Sequence, residues 1–177
     1  EVNSSAGETA ADDPRINLAG SGDLQKLSVN SAMIDLPWLR VESDAPLVID
    51  FSLENPLEQA QLVARANLDR LPWIEASGAV QLRLSAETSG EGLPSFNLRL
   101  DGDGIGLFDT QFESMQAVVQ TEGKALQLES LLATTQQGSS LEASGGFDLE
   151  TQTFEDVTAS INLLNESERL RQFIQFD

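Results

Sequence analysis

The chain has 177 residues, 40% of them hydrophobic and only 6% aromatic, and it contains no Tyr, His or Cys. That length and apolar content suit one domain with a core of its own rather than a disordered chain. Its 29 acids against 10 Lys and Arg give a net charge of −19, which argues against nucleic acid, because a phosphate backbone needs clustered basic neutralisation, and against an anionic bilayer surface.

Without Cys there is neither a disulfide framework nor a zinc thiolate site. No apolar run reaches the ~18 residues that a helix needs to span a bilayer.

Residues 1–14 read as an acidic linker: small, polar and free of any apolar period. With no initiator Met and no signal peptide at its start, the chain is expected to be a segment of a larger protein.

Residues 15–164 read as a repetitive antiparallel β domain. Leu-Pro-Trp occurs at 36–38 and again at 71–73, 35 residues apart. Glu75-Ala76-Ser77-Gly78 is echoed by Glu142-Ala143-Ser144-Gly145, 67 residues apart and near twice that step. Such spacings suggest a hairpin-sized repeating unit rather than an enzyme fold built around one unique site.

Apolar and polar residues alternate through Leu47-Ile49-Phe51-Leu53, Val80-Leu82-Leu84-Ala86, Phe96-Leu98-Leu100, Leu126-Leu128, Leu141-Ala143-Phe147-Leu149 and Val157-Ala159-Ile161-Leu163. A period of two means half-buried strands with one face in water. Turn signals fall between them: Ser89-Gly90-Glu91-Gly92, Asp101-Gly102-Asp103-Gly104, Glu122-Gly123, Gln137-Gly138-Ser139 and Glu150-Thr151. Glycine there supplies the positive φ of tight hairpins. The spacing predicts an antiparallel meander of about ten strands, more than one flat sheet usually holds without curling or folding over.

Pro37 and Pro72 cannot donate to a ladder, so each is expected at a strand edge or corner, with Trp38 and Trp73 covering equivalent ends of the sheet. Pro56 to Gln61 reads as a short turn of helix. Residues 165–177 read as a short amphipathic helix, with Asn165 as cap, Glu168 in the capping-box place and Leu170, Phe173 and Ile174 on one face.

Chemistry is scarce. The absence of His removes Ser-His-Asp and Cys-His catalysis and histidine-ligated zinc. Paired carboxylates could still serve glycoside hydrolysis, yet that chemistry also needs aromatic or polar sugar platforms, and Tyr is absent while Trp occurs only twice. Asp101, Asp103 and Asp109 resemble part of a calcium loop, but Ile105 and Phe112 occupy the fifth and twelfth places, where ligands are required. A plain Asp-Gly hairpin turn is the preferred reading. The chain is therefore expected not to be an enzyme, with no catalytic residues, no metal and no cofactor.

What remains is the apolar face. Two such sheets could close on each other as a sandwich around a dry core. Alternatively the curled sheet stays open and its lining is a groove. Sheltering an acyl chain is worth about 0.8 kcal/mol per methylene, so sixteen carbons need on the order of 12 kcal/mol of dry surface. Strands about 4.8 Å apart add an apolar row at each step, so roughly four or five strands span one extended chain. The residues expected to line the groove are Ile49, Phe51, Leu82, Leu84, Phe96, Leu98, Leu100, Leu126, Leu128, Phe147, Leu149, Ile161 and Leu163.

Leu141-Glu142-Ala143-Ser144-Gly145-Gly146-Phe147-Asp148-Leu149 resembles the recurrent apolar-x-Ala-x-Gly-x-apolar-Asp-Leu strand of the AsmA-like superfamily, which includes the TamB-type inter-membrane transport and translocation and assembly proteins. Asp101 to Leu107 and the continuation to Asn162-Leu163 are similar in style. The resemblance implies an elongated, taco-like, U-shaped β-sheet with an apolar groove, inside a periplasmic protein anchored in the inner membrane. It implies phospholipid acyl chains as cargo, movement between the inner and outer membranes, outer-membrane biogenesis and outer-membrane assembly proteins as partners. The strong acidity and the Leu-Pro-Trp pair are not part of that pattern. The competing expectations are a structural or adhesive β-module of a secreted or surface protein with a closed core, and a chaperone-like binder of outer-membrane protein strands.

Overall fold

The computed structural model describes residues 14–53, 56–71, 74–88, 95–107, 110–122 and 124–164. The linker expected over residues 1–14 lies outside them except for Pro14, as does the helix expected over 165–177.

The described chain is a β meander. Its strands are β1 (Arg15–Gly22), β2 (Lys26–Asp35), β3 (Leu39–Ser43), β4 (Leu47–Asp50), β5 (Leu57–Asn67), β6 (Ala76–Glu87), β7 (Ser95–Leu107), β8 (Thr110–Glu122), β9 (Ala125–Thr135), β10 (Ser140–Asp148) and β11 (Thr153–Asn162). All belong to one antiparallel sheet, in which each strand except at the β3–β4 step lies beside its sequence neighbour. β3 and β4 share one place between β2 and β5. The break between them spans Asp44 to Pro46, where Pro46 has no N–H to give a ladder. Eleven strands thus fill ten positions. β1 and β11 are the two edges and do not pair with each other.

Register shifts interrupt the β1–β2, β4–β5, β6–β7, β8–β9, β9–β10 and β10–β11 pairings. Each bulge bends its strand and adds twist, which is how a sheet this wide curls. The echoed Ala-Ser-Gly tripeptides mark two of these places. Gly78 stands at the β6 shift with φ +99°, and Gly145 stands at the β10 shift.

Two expectations are corrected. Pro56 to Gln61 is not helical: Leu57 opens the 11-residue strand β5. Its Ala, Gln and Glu content favours helix locally, but pairing on both sides overrides that preference. Asp101-Gly102-Asp103-Gly104 is not a hairpin turn but lies inside the 13-residue β7. Gly104 adopts φ +59° and makes a bulge, and Gly102 leaves room for Ile105, whose Cγ1 would stand 3.0 Å from a Cβ added there. The glycines serve packing and curvature rather than chain reversal.

Pro37 and Trp38 sit in the β2–β3 turn, closed by Leu36 N–H donating to the Leu39 carbonyl (2.8 Å). The second Leu-Pro-Trp begins after a 3-10 turn, Leu68–Arg70, capped by Asn67, whose side chain accepts from the Asp69 N–H. Pro72 and Trp73 lie outside the described residues.

A charge-free apolar face as candidate functional site

Directly paired residues of an antiparallel sheet share a face, so the register fixes which side chains look the same way. One row can be followed across all ten positions: Ile16, Ile34, Val41, Ala64, Leu82, Leu100, Ala117, Leu131, Ala143 and Ala159. Every member is apolar. The next row holds Leu62, Leu84, Leu98, Val119, Leu128 and Gly145. On the other side lie Ala66, Val80, Gly102, Met115, Ala133, Leu141 and Ile161.

No charged residue occupies this face among the paired, described residues. Its hydroxyls are already engaged, that of Thr135 by the Ser139 N–H (3.1 Å). Ser43 Oγ accepts the Ala32 N–H (2.9 Å) and Thr121 Oγ1 accepts the Phe96 N–H (2.7 Å). Both replace missing ladder bonds, so neither offers the face a free polar group.

The face is not sealed. The buried apolar residues among those described are Ala60, Val63, Ala86, Ile105 and Ala133, and Leu82, Leu84, Leu98 and Leu100 at its centre are only half-buried. A closed sandwich would bury such central leucines completely. Exposure climbs toward the edges, to 68% at Leu18 on β1 and 77% at Phe154 on β11. A half-sheltered centre between open edges is the profile of a trough in a curled sheet.

Of the expected lining, Leu82, Leu84, Phe96, Leu98, Leu100, Leu126, Leu128, Phe147 and Ile161 share the face, together with Ile49. Phe51 and Leu149 fall in turns beyond the strands, both at the same end of the sheet, and are exposed. Leu163 follows β11 and is half-buried. Leu57, Leu62, Ala64, Val119 and Leu131 also line the face but were not expected to. Leu131-Leu132 hides its polarity in sequence because the β9 bulge at Glu129-Ser130 shifts the alternation by one.

One apolar depression of the face lies between β8 and β11. About 210 Å³ in volume, it is walled by Val119, Leu126, Leu128, Phe147, Phe154 and Val157, with Gly145 and Gly146 on its floor. Phe147 and Phe154 meet at a ring separation of 5.0 Å and a 56° tilt. A Cβ at Gly145 would stand 2.9 Å from Val157 Cγ2, so glycine permits the close approach of β11.

Charges gather at the strand ends and on the opposite face. At the end that carries Phe51, Asp23 accepts the backbone N–H groups of Gln25 and Lys26, which hold its carboxyl below the ordinary range. Ser52 does the same for Asp50, and Thr151 and Glu150 for Asp148. These carboxylates stay ionised and keep that end wet. Among the described residues there is no His, Cys, Asp and Glu grouping fit to hold a metal, and no helix long and apolar enough to cross a membrane.

No family model matches this chain, and neither a curated protein nor a solved structure does.

Proposed function

We propose that the chain is a length of lipid conduit, non-enzymatic, whose trough shelters acyl chains as part of a larger periplasmic protein anchored in the inner membrane. The observation that carries this reading is the unbroken apolar row across ten strand positions, with no charge on its face and no second layer over it among the described residues. At about 4.8 Å per step the row is roughly 43 Å long, longer than a single pocket needs and suited to passing a chain along. Shelter of this kind is non-directional, so no one residue is essential. The resemblance of the Leu141 to Leu149 strand to AsmA-like sequences points the same way, toward phospholipid movement between inner and outer membranes and outer-membrane biogenesis.

A photo-crosslinking residue at position 98, within the full-length protein in cells, tests the proposal. Covalent capture of phospholipid is expected at position 98, and none at position 99, one residue along on the other face. Equal capture at both, or none at either, contradicts it.

The unpaired edges of β1 and β11 give one observation in favour of the chaperone-like alternative, strand capture. Capture of outer-membrane polypeptide instead of lipid at position 98 would favour it.

A further inference from the structure

The face opposite the trough carries the only like-charge pairs among the described strand pairings. Among the paired, described residues no acid stands opposite another acid, in a chain with 29 of them. Yet Arg40 stands opposite Arg65, and Arg83 opposite Arg99. Like charges directly opposed weaken a strand pair. Two such pairs lie side by side on β3, β5, β6 and β7, and they use four of only ten basic residues.

The cost is only partly offset. Glu42 pairs with both Arg40 (2.5 Å) and Arg65 (3.1 Å), and Asp101 with both Arg83 and Arg99 (3.3 Å each). Asp35 lies opposite Arg40 and Arg15 in the same row. Gln81, once its amide is flipped so that the oxygen faces Arg83, accepts from two of its nitrogens (2.8 and 3.1 Å). Each guanidinium has five donors, and all four side chains are about half exposed. On β2 to β7 these two rows set four arginines, each in an ion pair, against three carboxylates.

The centre of the patch is apolar. Val63 lies between Glu42 and Arg83 and is 9% exposed, and half-buried Met33 stands on the far side of Glu42, where its sulfur takes an Arg40 N–H at 3.7 Å. Arginine around a small apolar floor is the make-up of a protein-binding surface. The patch is a sheet face rather than a cleft, which does not suit a small anion.

We infer that this arginine patch docks an acidic polypeptide segment of a partner protein, whose carboxylates complete the two opposed arginine pairs. It is independent of what the trough on the other face holds.

The test uses the whole 177-residue chain and fluorescence anisotropy with labelled oligo-glutamate, oligo-lysine and oligo-thymidylate. Oligo-glutamate is expected to bind at low salt, and Arg83→Gln/Arg99→Gln and Arg40→Gln/Arg65→Gln each to weaken it by about tenfold or more. The melting temperature of both variants is expected to stay level or rise, because the opposed charges are gone. Unchanged oligo-glutamate affinity in the variants, or no binding to the wild-type chain, overturns the inference. So does tighter binding of oligo-thymidylate, which would make the site one for phosphate polymers. A fall in melting temperature with affinity retained would reduce the cluster to a stabilising ion-pair network and likewise overturn it.

Discussion

Leu98→Asp separates an open trough from a sealed core by magnitude. Leu98 lies between Leu84 and Val119 in the second row of the face and is half-buried. Burying a leucine fully is worth about 1.5–3 kcal/mol, so a half-buried one contributes roughly 1–1.5. An aspartate at that position keeps contact with water and need not be desolvated. The expected loss of stability is therefore about 1–1.5 kcal/mol. In a sealed core the same change would add a cavity and an unpaired charge, for roughly 5 kcal/mol or more. Urea denaturation followed by Trp fluorescence reads the difference, provided the slope of the transition is unchanged. Bound lipid should suffer more: losing two or three methylene contacts costs about 2 kcal/mol, or roughly thirtyfold in affinity. A stability loss at the larger figure would refute the reasoning, because it would mean that the leucines interlock out of reach of water.

Gly145→Val should place its side chain against Val157 Cγ2 and the Val157 backbone, costing about 1–3 kcal/mol of overpacking; faster amide exchange along β11 would report it. Gly104→Ala meets no atom within 4 Å, so its cost is only that of φ +59°, about 1 kcal/mol. Gly78→Ala, also at positive φ but against the Gly104 carbonyl, should cost more, and a melting comparison of the two checks the order. The carboxyls of Asp23, Glu42, Asp50 and Asp148 are all held below their ordinary range. Their stabilisation is thus complete above the unfolded values near pH 4 and is lost as pH falls through the lowered ones. The urea midpoint should drop on acidification below about pH 4, and Asp148→Asn should flatten that drop; a midpoint that rises there would show that relief of acidic repulsion dominates instead.

The strands with pure alternation, such as Val80 to Ala86 and Phe96 to Leu100, could be read directly, because a half-buried pleat writes its period into the sequence. β5 could not: its alanines and glutamines prefer helix, and only pairing with β3, β4 and β6 makes it extended. The Asp-Gly pairs of β7 carry the chemistry of a turn but serve a bulge, a distinction that depends on whether the chain beyond them reverses. Phe51 and Leu149 continue the alternation of their strands past the last paired residues, into turns where both are exposed, and period alone does not mark where a strand ends. The ten-residue row and the opposed arginines needed the register between strands, which a linear pattern does not contain.

The central claim is that the apolar face remains accessible to a hydrocarbon chain. A titration with fluorescent fatty acids of increasing length addresses it most directly. Saturable binding is expected, strengthening by about fourfold per added methylene while the chain still fits the trough, as 0.8 kcal/mol each requires. Affinity indifferent to chain length, or no saturable binding at any length, would contradict the account.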